Sequence, residues 1–143
     1  MPGRIPDDGV RRYSTDHLWV LPGDLATIGV TTYIAAQIGL PQVITLPEAG
    51  TRIARCAPFA VIGAAKVLCE LTAPLTGTVT ERNTALDDEP TAIIDHPYET
   101  WLVRLGDIEA KGVAELLAEA DYRTYLAGGN VTHPLTRRFA PPA

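Results

Sequence analysis

Short apolar runs separated by turn residues fill the chain as far as about residue 106. "HLWVLPGDLATIGV" holds two such runs divided by Pro22-Gly23-Asp24, a pattern that predicts a β-hairpin. In "TTYIAAQIGL", Thr31 or Thr32 is placed to cap a short helix and Gly39 to end it. The other apolar runs predict strands at "PQVITL", "PFAVIGAA", "VLCELTAP", "GTVTERN" and "TWLVRL".

The character of the sequence changes at Asp107. Apolar residues then recur at helical intervals and predict one or two amphipathic helices: Ile108, Val113, Leu116, Leu117, Ala120, Tyr125 and Leu126. Gly128-Gly129 would end them. Before this region, the proline-punctuated segment "ALDDEPTAIIDHPYE" predicts a loop. Strands followed by helices favour an α+β, mainly β, domain, and the strand spacing suggests a sandwich or barrel.

The two ends of the chain differ from its middle in composition. Residues 1–12 are polar and rich in Pro, Gly and Asp, so we expect a flexible N-terminal arm. Residues 128–143 contain further prolines and the Arg137-Arg138 pair, and we expect a poorly ordered tail. The domain itself would span residues 13–127.

Strand parity separates the two cysteines. Side chains alternate between the faces of a strand, so Val67, Cys69 and Leu71 would share one face and Leu68 and Glu70 the other. Cys69 is therefore expected to be a buried core thiol. Cys56 precedes a strand in "RIARCAPF" and is expected to be exposed, with no neighbouring residue that indicates redox activity.

Composition and charge exclude several classes of protein. The 143 residues are 46% hydrophobic and 20% charged, which is typical of one globular domain. The net charge of −5 argues against a nucleic-acid-binding surface, and no stretch has the length of a membrane span. Two cysteines make no disulfide framework, and we expect a cytoplasmic, monomeric protein.

The candidate ligands and catalytic groups form no recognisable active site. The possible metal ligands are not paired at the spacing of a zinc site: His17, His96, His133, Cys56 and Cys69. No P-loop, dinucleotide-binding or nucleophile-elbow motif is present. The acidic run Asp87-Asp88-Glu89 reads as a solvated turn. We therefore expect no enzyme activity in the chain itself.

Lys66 is the one residue whose sequence context indicates a possible chemical role. It lies between "PFAVIGAA" and "VLCELTAP", two apolar runs that predict the arms of a hairpin. A lysine at a hairpin tip suits covalent attachment of a swinging cofactor. A turn that simply needs a polar residue is the more ordinary explanation, and the pattern alone leaves both interpretations open.

Several segments, in order, resemble the glycine cleavage system H proteins, a family of lipoyl carriers. They are "YSTDHLWV", "GDLATIGVTTYIAAQIG", "ITLPEAG", "PFAVIGAAKVLCELTAPLTGTVTERN", "ALDDEP" and "HPYETWL". Ala73-Pro74-Leu75-Thr76-Gly77 matches the sequence motif that the family has downstream of the lysine. Gly77 stands eleven residues after Lys66, the same spacing as in the family. Biotinyl carriers have methionines beside the lysine, where this chain has Ala65 and Val67.

The resemblance implies a lipoyl-type flattened β-sandwich (a barrel-sandwich hybrid) with a lipoyl-lysine hairpin and C-terminal helices. It also implies that lipoylation enzymes attach lipoate covalently to Lys66. In glycine cleavage the partners would be glycine decarboxylase, aminomethyltransferase and dihydrolipoamide dehydrogenase. The protein would be a carrier within this multi-enzyme system.

Departures from the family pattern lie around the expected hairpin and in nearby loops. Gly63 and Ala64 stand where the family usually has Glu and Ser, and Leu40 follows Gly39 where the family has Asp. This pattern favours a lipoate-binding paralogue that serves bacterial sulfur oxidation with a heterodisulfide-reductase-like complex. Glycine cleavage is the alternative interpretation. A further alternative is a binding module that is never lipoylated.

Overall fold

The protein consists of two antiparallel sheets packed into a flattened sandwich, with short helices around it. The computed structural model describes residues 10–65, 67–127 and 136–139. Its strands are β1 Arg12–Tyr13, β2 Leu18–Leu21, β3 Ala26–Val30, β4 Pro41–Thr45, β5 Arg52–Ile53, β6 Pro58–Ala64, β7 Val67–Thr72, β8 Gly77–Arg82, β9 Val103–Gly106 and β10 Thr136–Phe139. Its helices are α1 Thr32–Ile38, α2 Ala85–Asp88, α3 Ala92–Asp95, α4 Ala110–Ala114 and α5 Glu119–Ala127.

The larger sheet has the strand order β1-β2-β3-β9-β8-β5, and the smaller sheet has the order β10-β7-β6-β4. One apolar cluster fills the space between the sheets, and its fully buried members include Ile28, Ile62 and Leu105. The expected mainly-β sandwich with late helices is confirmed, and the sheets do not close into a barrel.

The β2–β3 hairpin forms where the sequence predicts it. Leu18 pairs with Val30 and Val20 with Ile28, and all four side chains are fully buried. Helix α1 follows, with Gly39 at its end in the left-handed region (φ 80°) that glycine adopts at low cost. Thr31 occupies the N-cap position, but its hydroxyl donates to the carbonyl of His17 at 2.8 Å instead of capping the helix.

The predicted loop after β8 is corrected by the structure, because it contains the helices α2 and α3. The side-chain carbonyl of Asn83 accepts the N–H of Ala85 at 3.2 Å and starts the first of these turns. Each helix buries one apolar side chain, Leu86 in α2 and Ile93 in α3. Pro90 lies between the two helices and interrupts neither of them.

The two ends of the chain are partly tied to the domain. Arg12 forms β1 with Tyr13, and the Arg11 guanidinium lies 4.9 Å from the centre of the Trp19 ring. Residues 1–9 of the expected arm lie outside the described residues. No pattern in residues 128–143 predicts a strand, yet Thr136–Phe139 pair with β7. The rest of that range, including Gly128-Gly129, lies outside the described residues.

A second, aromatic cluster attaches α5 to the larger sheet. Tyr13 and Tyr122 stack with their ring centres 4.8 Å apart, and Trp19 packs beside them with 2% of its surface exposed. The Trp19 indole N–H donates to the carbonyl of Pro97 at 2.9 Å. Gly29, opposite Trp19 in the hairpin, has no Cβ, and this leaves the space that the indole ring occupies.

His17 is buried in the contact between α5 and the larger sheet. Its Nδ1 and the Tyr122 hydroxyl are hydrogen-bonded at 2.5 Å, and its ring lies 4.1 Å from that of Tyr33. Its Nε2 finds no hydrogen-bond partner among the described residues. Burial therefore disfavours the charged imidazolium and lowers the pKa of His17 from 6.5 to about 4.

We predict that stability falls as the pH is lowered from about 6.5 to about 4. In this window the unfolded chain binds a proton at residue 17 and the folded chain does not, so unfolding is favoured by up to about 3 kcal/mol. Urea unfolding of the wild type and of His17→Asn at each pH measures this effect. Asparagine tolerates the left-handed backbone of residue 17 (φ 68°) and does not titrate.

The pKa of the neighbouring Asp16 is raised by burial, and its titration has the opposite sign. The comparison of the two proteins cancels this contribution because both contain Asp16. Identical pH slopes in the wild type and His17→Asn would contradict the prediction.

Gly29→Ala is expected to destabilise the protein by about 3 kcal/mol, through overpacking and loss of the indole hydrogen bond. A Cβ at residue 29 would lie 2.3 Å from Cζ2 of Trp19, so the ring would have to leave its place. Gly23→Ala is the matched control, since its Cβ would meet only the Leu25 carbonyl oxygen at 3.4 Å. Denaturant unfolding measures both, and equal effects would show that the contact with Trp19 is not tight.

Candidate functional site

The hairpin formed by β6 and β7 is the candidate site. Ile62 pairs with Cys69 and Gly63 with Leu68, so the two strands remain in register up to their ends at Ala64 and Val67. Residues 65 and 66 of the sequence connect these strands, and Ala65 is exposed. Lys66, the predicted attachment residue, lies outside the described residues.

The base of this hairpin is held from three sides. β4 pairs with β6, β10 pairs with β7, and neither hairpin strand is an edge of the sheet. On the inner face, Ile62 and Cys69 are buried, with 0% and 1% of their surfaces exposed. Strand parity therefore predicted the burial of Cys69 correctly, and Leu68, which parity assigns to the opposite face, is 40% exposed. The described part of the hairpin is a rigid support for the two residues that connect its strands.

The outer face near this end of the hairpin is closely packed around Gly63, and Arg138 of β10 pairs with Leu68 there. A Cβ at Gly63 would lie 2.9 Å from Cγ1 of Val43 and 3.4 Å from Cδ2 of Leu68. The side chains of Val43 and Leu68 remain 55% and 40% exposed. Sequence reasoning identified Gly63 as a departure from the family but missed Val43, because this contact depends on the register between β4 and β6.

The chain has only two lysines, Lys66 and Lys111. Lys111 is exposed on α4, in the helical region that follows the last strand of the larger sheet. Several of the described arginines are paired with carboxylates, among them Arg104 with Glu81 at 2.8 Å and Arg52 with Asp107 at 3.1 Å. Any chemistry that requires a primary amine on a side chain therefore has two possible residues.

The residues considered as metal ligands do not come together. His17 is buried under α5, whereas His96 is exposed with its Nδ1 3.7 Å from Glu99. His133 lies outside the described residues. Within residues 10–65, 67–127 and 136–139, no cluster of three or more His, Cys, Asp or Glu side chains could hold a metal ion.

Cys56 is exposed, as expected, and lies at a small pocket of about 70 Å³. Asp16, Ala73 and the ion pair between Arg55 and Glu115 also line this pocket. Ala73 follows the end of β7 that is remote from Ala65, so the pocket is not continuous with the hairpin tip. Cys56 and Cys69 are not joined in a disulfide.

None of the helices in the described part of the chain combines the length and the apolar composition needed to cross a membrane.

Comparisons with known proteins agree with this architecture. The family model for the glycine cleavage H-protein matches residues 11–128, which include the whole β6–β7 hairpin. A crystal structure of a glycine cleavage system H protein from Mycobacterium marinum superposes with a TM-score of 0.75 at 29% identity. The match covers 86% of this chain and 99% of that one.

Two curated relatives are both described as glycine cleavage system H proteins. The one from Bacillus subtilis (strain 168) is 36% identical over 120 residues, 82% of this chain and 93% of the relative. The one from Clostridioides difficile (strain 630) is 33% identical over 117 residues, 80% of this chain and 94% of the relative. These matches favour glycine cleavage over the expected role in sulfur oxidation, which they do not support. The chain belongs to the glycine cleavage H-protein family.

Proposed function

We propose that this chain is a carrier protein that presents a lipoyl group on Lys66 to the enzymes of the glycine cleavage system. The observation that carries the proposal is the family match over residues 11–128, which includes the hairpin that contains Lys66. The relatives described above carry the name of that system.

The geometry of the hairpin fits the attachment of a lipoyl group. Small residues, Gly63 and Ala64, precede the connection between the strands, and Ala65 is exposed, so an enzyme can approach this end without displacing a bulky side chain. The buried inner face below, at Ile62 and Cys69, holds the strand ends in place. A tether on a rigid base raises the effective concentration of its free end at a partner's site.

The proposal assigns the bond-making chemistry to partner enzymes. A bound lipoyl group supplies a disulfide that accepts an aminomethyl group and, once reduced to the dithiol, is reoxidised. The partners would be glycine decarboxylase, aminomethyltransferase and dihydrolipoamide dehydrogenase. The role of this chain's residues is to hold the attachment lysine and to expose it.

Lys66→Arg is expected to abolish lipoylation completely and to leave the unfolding temperature unchanged. Arginine keeps the positive charge but cannot form the amide. Intact mass and peptide mapping, after treatment with lipoate–protein ligase, lipoate and ATP, provide the measurement. Lys111→Arg is the matched control and should be modified at the wild-type rate. A lipoyl group on Lys111, or one that persists in Lys66→Arg, would refute the assignment of Lys66.

The pathway has a separate test. We expect the lipoylated protein to support release of carbon dioxide from glycine by glycine decarboxylase, and Lys66→Arg to give only the background rate. If mass spectrometry shows the lipoyl group on Lys66 and no carbon dioxide is released, the carrier role stands and the glycine cleavage role fails. The sulfur-oxidation alternative would then be tested with a heterodisulfide-reductase-like complex.

A further inference from the structure

The described strands form two sheets with four edges, β1 and β5 in the larger sheet and β4 and β10 in the smaller one. The main-chain groups on the outer side of an edge strand can pair with another molecule, and proteins limit this with short strands, bulges, prolines and charges. β1 and β5 contain two residues each, and the N–H and C=O of Tyr13 in β1 bond to Leu117. β4 begins at Pro41 and has a bulge between Pro41 and Val43. These three edges are therefore protected.

β7 would be an edge of a different kind if β10 did not pair with it. It runs for six residues, Val67–Thr72, without a proline, and Glu70 is its one charged residue. Its pairing with β6 is regular from Gly63 to Ala60, and the register shift of this pair lies beyond Ala60. A six-residue segment with high β-propensity and little charge is the kind of strand that pairs with copies of itself. β7 is therefore the strand that most needs a cover.

β10 covers β7 along most of its length. Thr136 pairs with Glu70 and Phe139 with Val67, so the four residues of β10 lie against four of the six residues of β7. These four residues come from outside the family domain, because the family model ends at residue 128. All the other strands lie within the range that the model matches. β10 is therefore a strand added to the sandwich at this one edge.

The sequence of β10 makes it a poor partner for a further strand. It is four residues long and contains Arg137 and Arg138, and in the sequence it stands between Pro134 and Pro141. Short length, positive charge and neighbouring prolines all oppose the pairing of an edge strand with another molecule. With β10 in place, a six-residue edge with one charge is replaced by a four-residue edge with two.

We propose that β10 is a cover for the edge of β7, and that it prevents this edge from pairing with β7 of a second copy of the chain. Two copies of one strand can pair antiparallel about a twofold axis, so that each gives the other the same main-chain hydrogen bonds. Such an association stops at the dimer, because the remaining edges are protected. The inference does not depend on the attachment of a lipoyl group to Lys66.

The two adjacent arginines of β10 provide a matched pair of variants for the test. Along an antiparallel strand, successive N–H groups point alternately toward the partner strand and away from it. Arg137→Pro and Arg138→Pro therefore lose the same charge, but only one of them loses a hydrogen bond to β7. Proline is tolerated in an edge strand where the N–H faces solvent. We expect one variant to dimerise at least about tenfold more tightly than the other, which should stay monomeric like the wild type.

Sedimentation velocity over a range of concentrations measures the association, and hydrogen exchange locates it. In dilute solution the amides of β7 should exchange about tenfold faster in the associating variant than in the wild type, and dimerisation should restore their protection. Circular dichroism checks that each variant is folded. Leu68→Lys, added to the associating variant, should return it to the monomer, because lysine on an edge strand opposes pairing. Leu25→Lys, in the turn between β2 and β3, is the control of nearly equal exposure (41% against 40%) and should leave the dimer intact.

Several results would overturn the proposal. Equal association of the two proline variants would show that loss of charge, and not loss of pairing, exposes a contact. Faster exchange in β7 without association would show that the open edge does not pair with a second copy. Assemblies larger than a dimer would show that another edge is open. The wild type gives a test that needs no variant: exchange of all β10 amides at the rate of an unfolded chain, or a dimer already formed through β7, would show that β10 does not cover this edge.

Discussion

The antiparallel pairing of β6 with β7 is the constraint on which the candidate site depends. It places Ile62 and Cys69 together on the inner face, where they are buried against the larger sheet. The same alternation puts Gly63 and Leu68 on the outer face. Because β4 and β10 flank the pair, neither hairpin strand is an edge of the smaller sheet, and the end of the hairpin is supported. A shift of one residue in this register would exchange the two faces.

The larger sheet holds helix α5 through an aromatic cluster. Gly29 makes room for the Trp19 ring, and Trp19, Tyr13 and Tyr122 together form the apolar contact beneath α5. This attachment includes the buried imidazole of His17, whose pKa is lowered to about 4. The helical region is thus joined to the sandwich by aromatic packing that is most stable when His17 is neutral.

The β6–β7 hairpin is supported by neighbouring strands on both sides. The outer face beside the hairpin combines two exposed apolar side chains, Val43 and Leu68, with Gly63, and Arg138 of β10 pairs with Leu68. The small pocket at Cys56 lies at the opposite end of β7 and is independent of this surface.

Much of the architecture could be predicted from local pattern. The β2–β3 hairpin, the helix ended by Gly39 and the burial of Cys69 all follow from periodicity and turn residues within a few positions of one another. The resemblance to the H-protein family also came from the sequence alone, including Lys66 as the expected attachment residue. The helices α2 and α3 were not predicted from the sequence. They are stabilised by the burial of Leu86 and Ile93 against residues distant in the sequence, which a local pattern does not show.

Only the tertiary structure decided which residues meet. Tyr122 was absent from the predicted apolar positions of the helical region, yet it is fully buried and bonded to His17, 105 positions away. Val43 lies beside Gly63 because of the register between β4 and β6. The turn at Gly39, which ends α1, does not set this register. Periodicity along a chain determines which face a residue occupies, since it is a property of the local backbone. The neighbour across that face depends on long-range pairing, which no local pattern specifies.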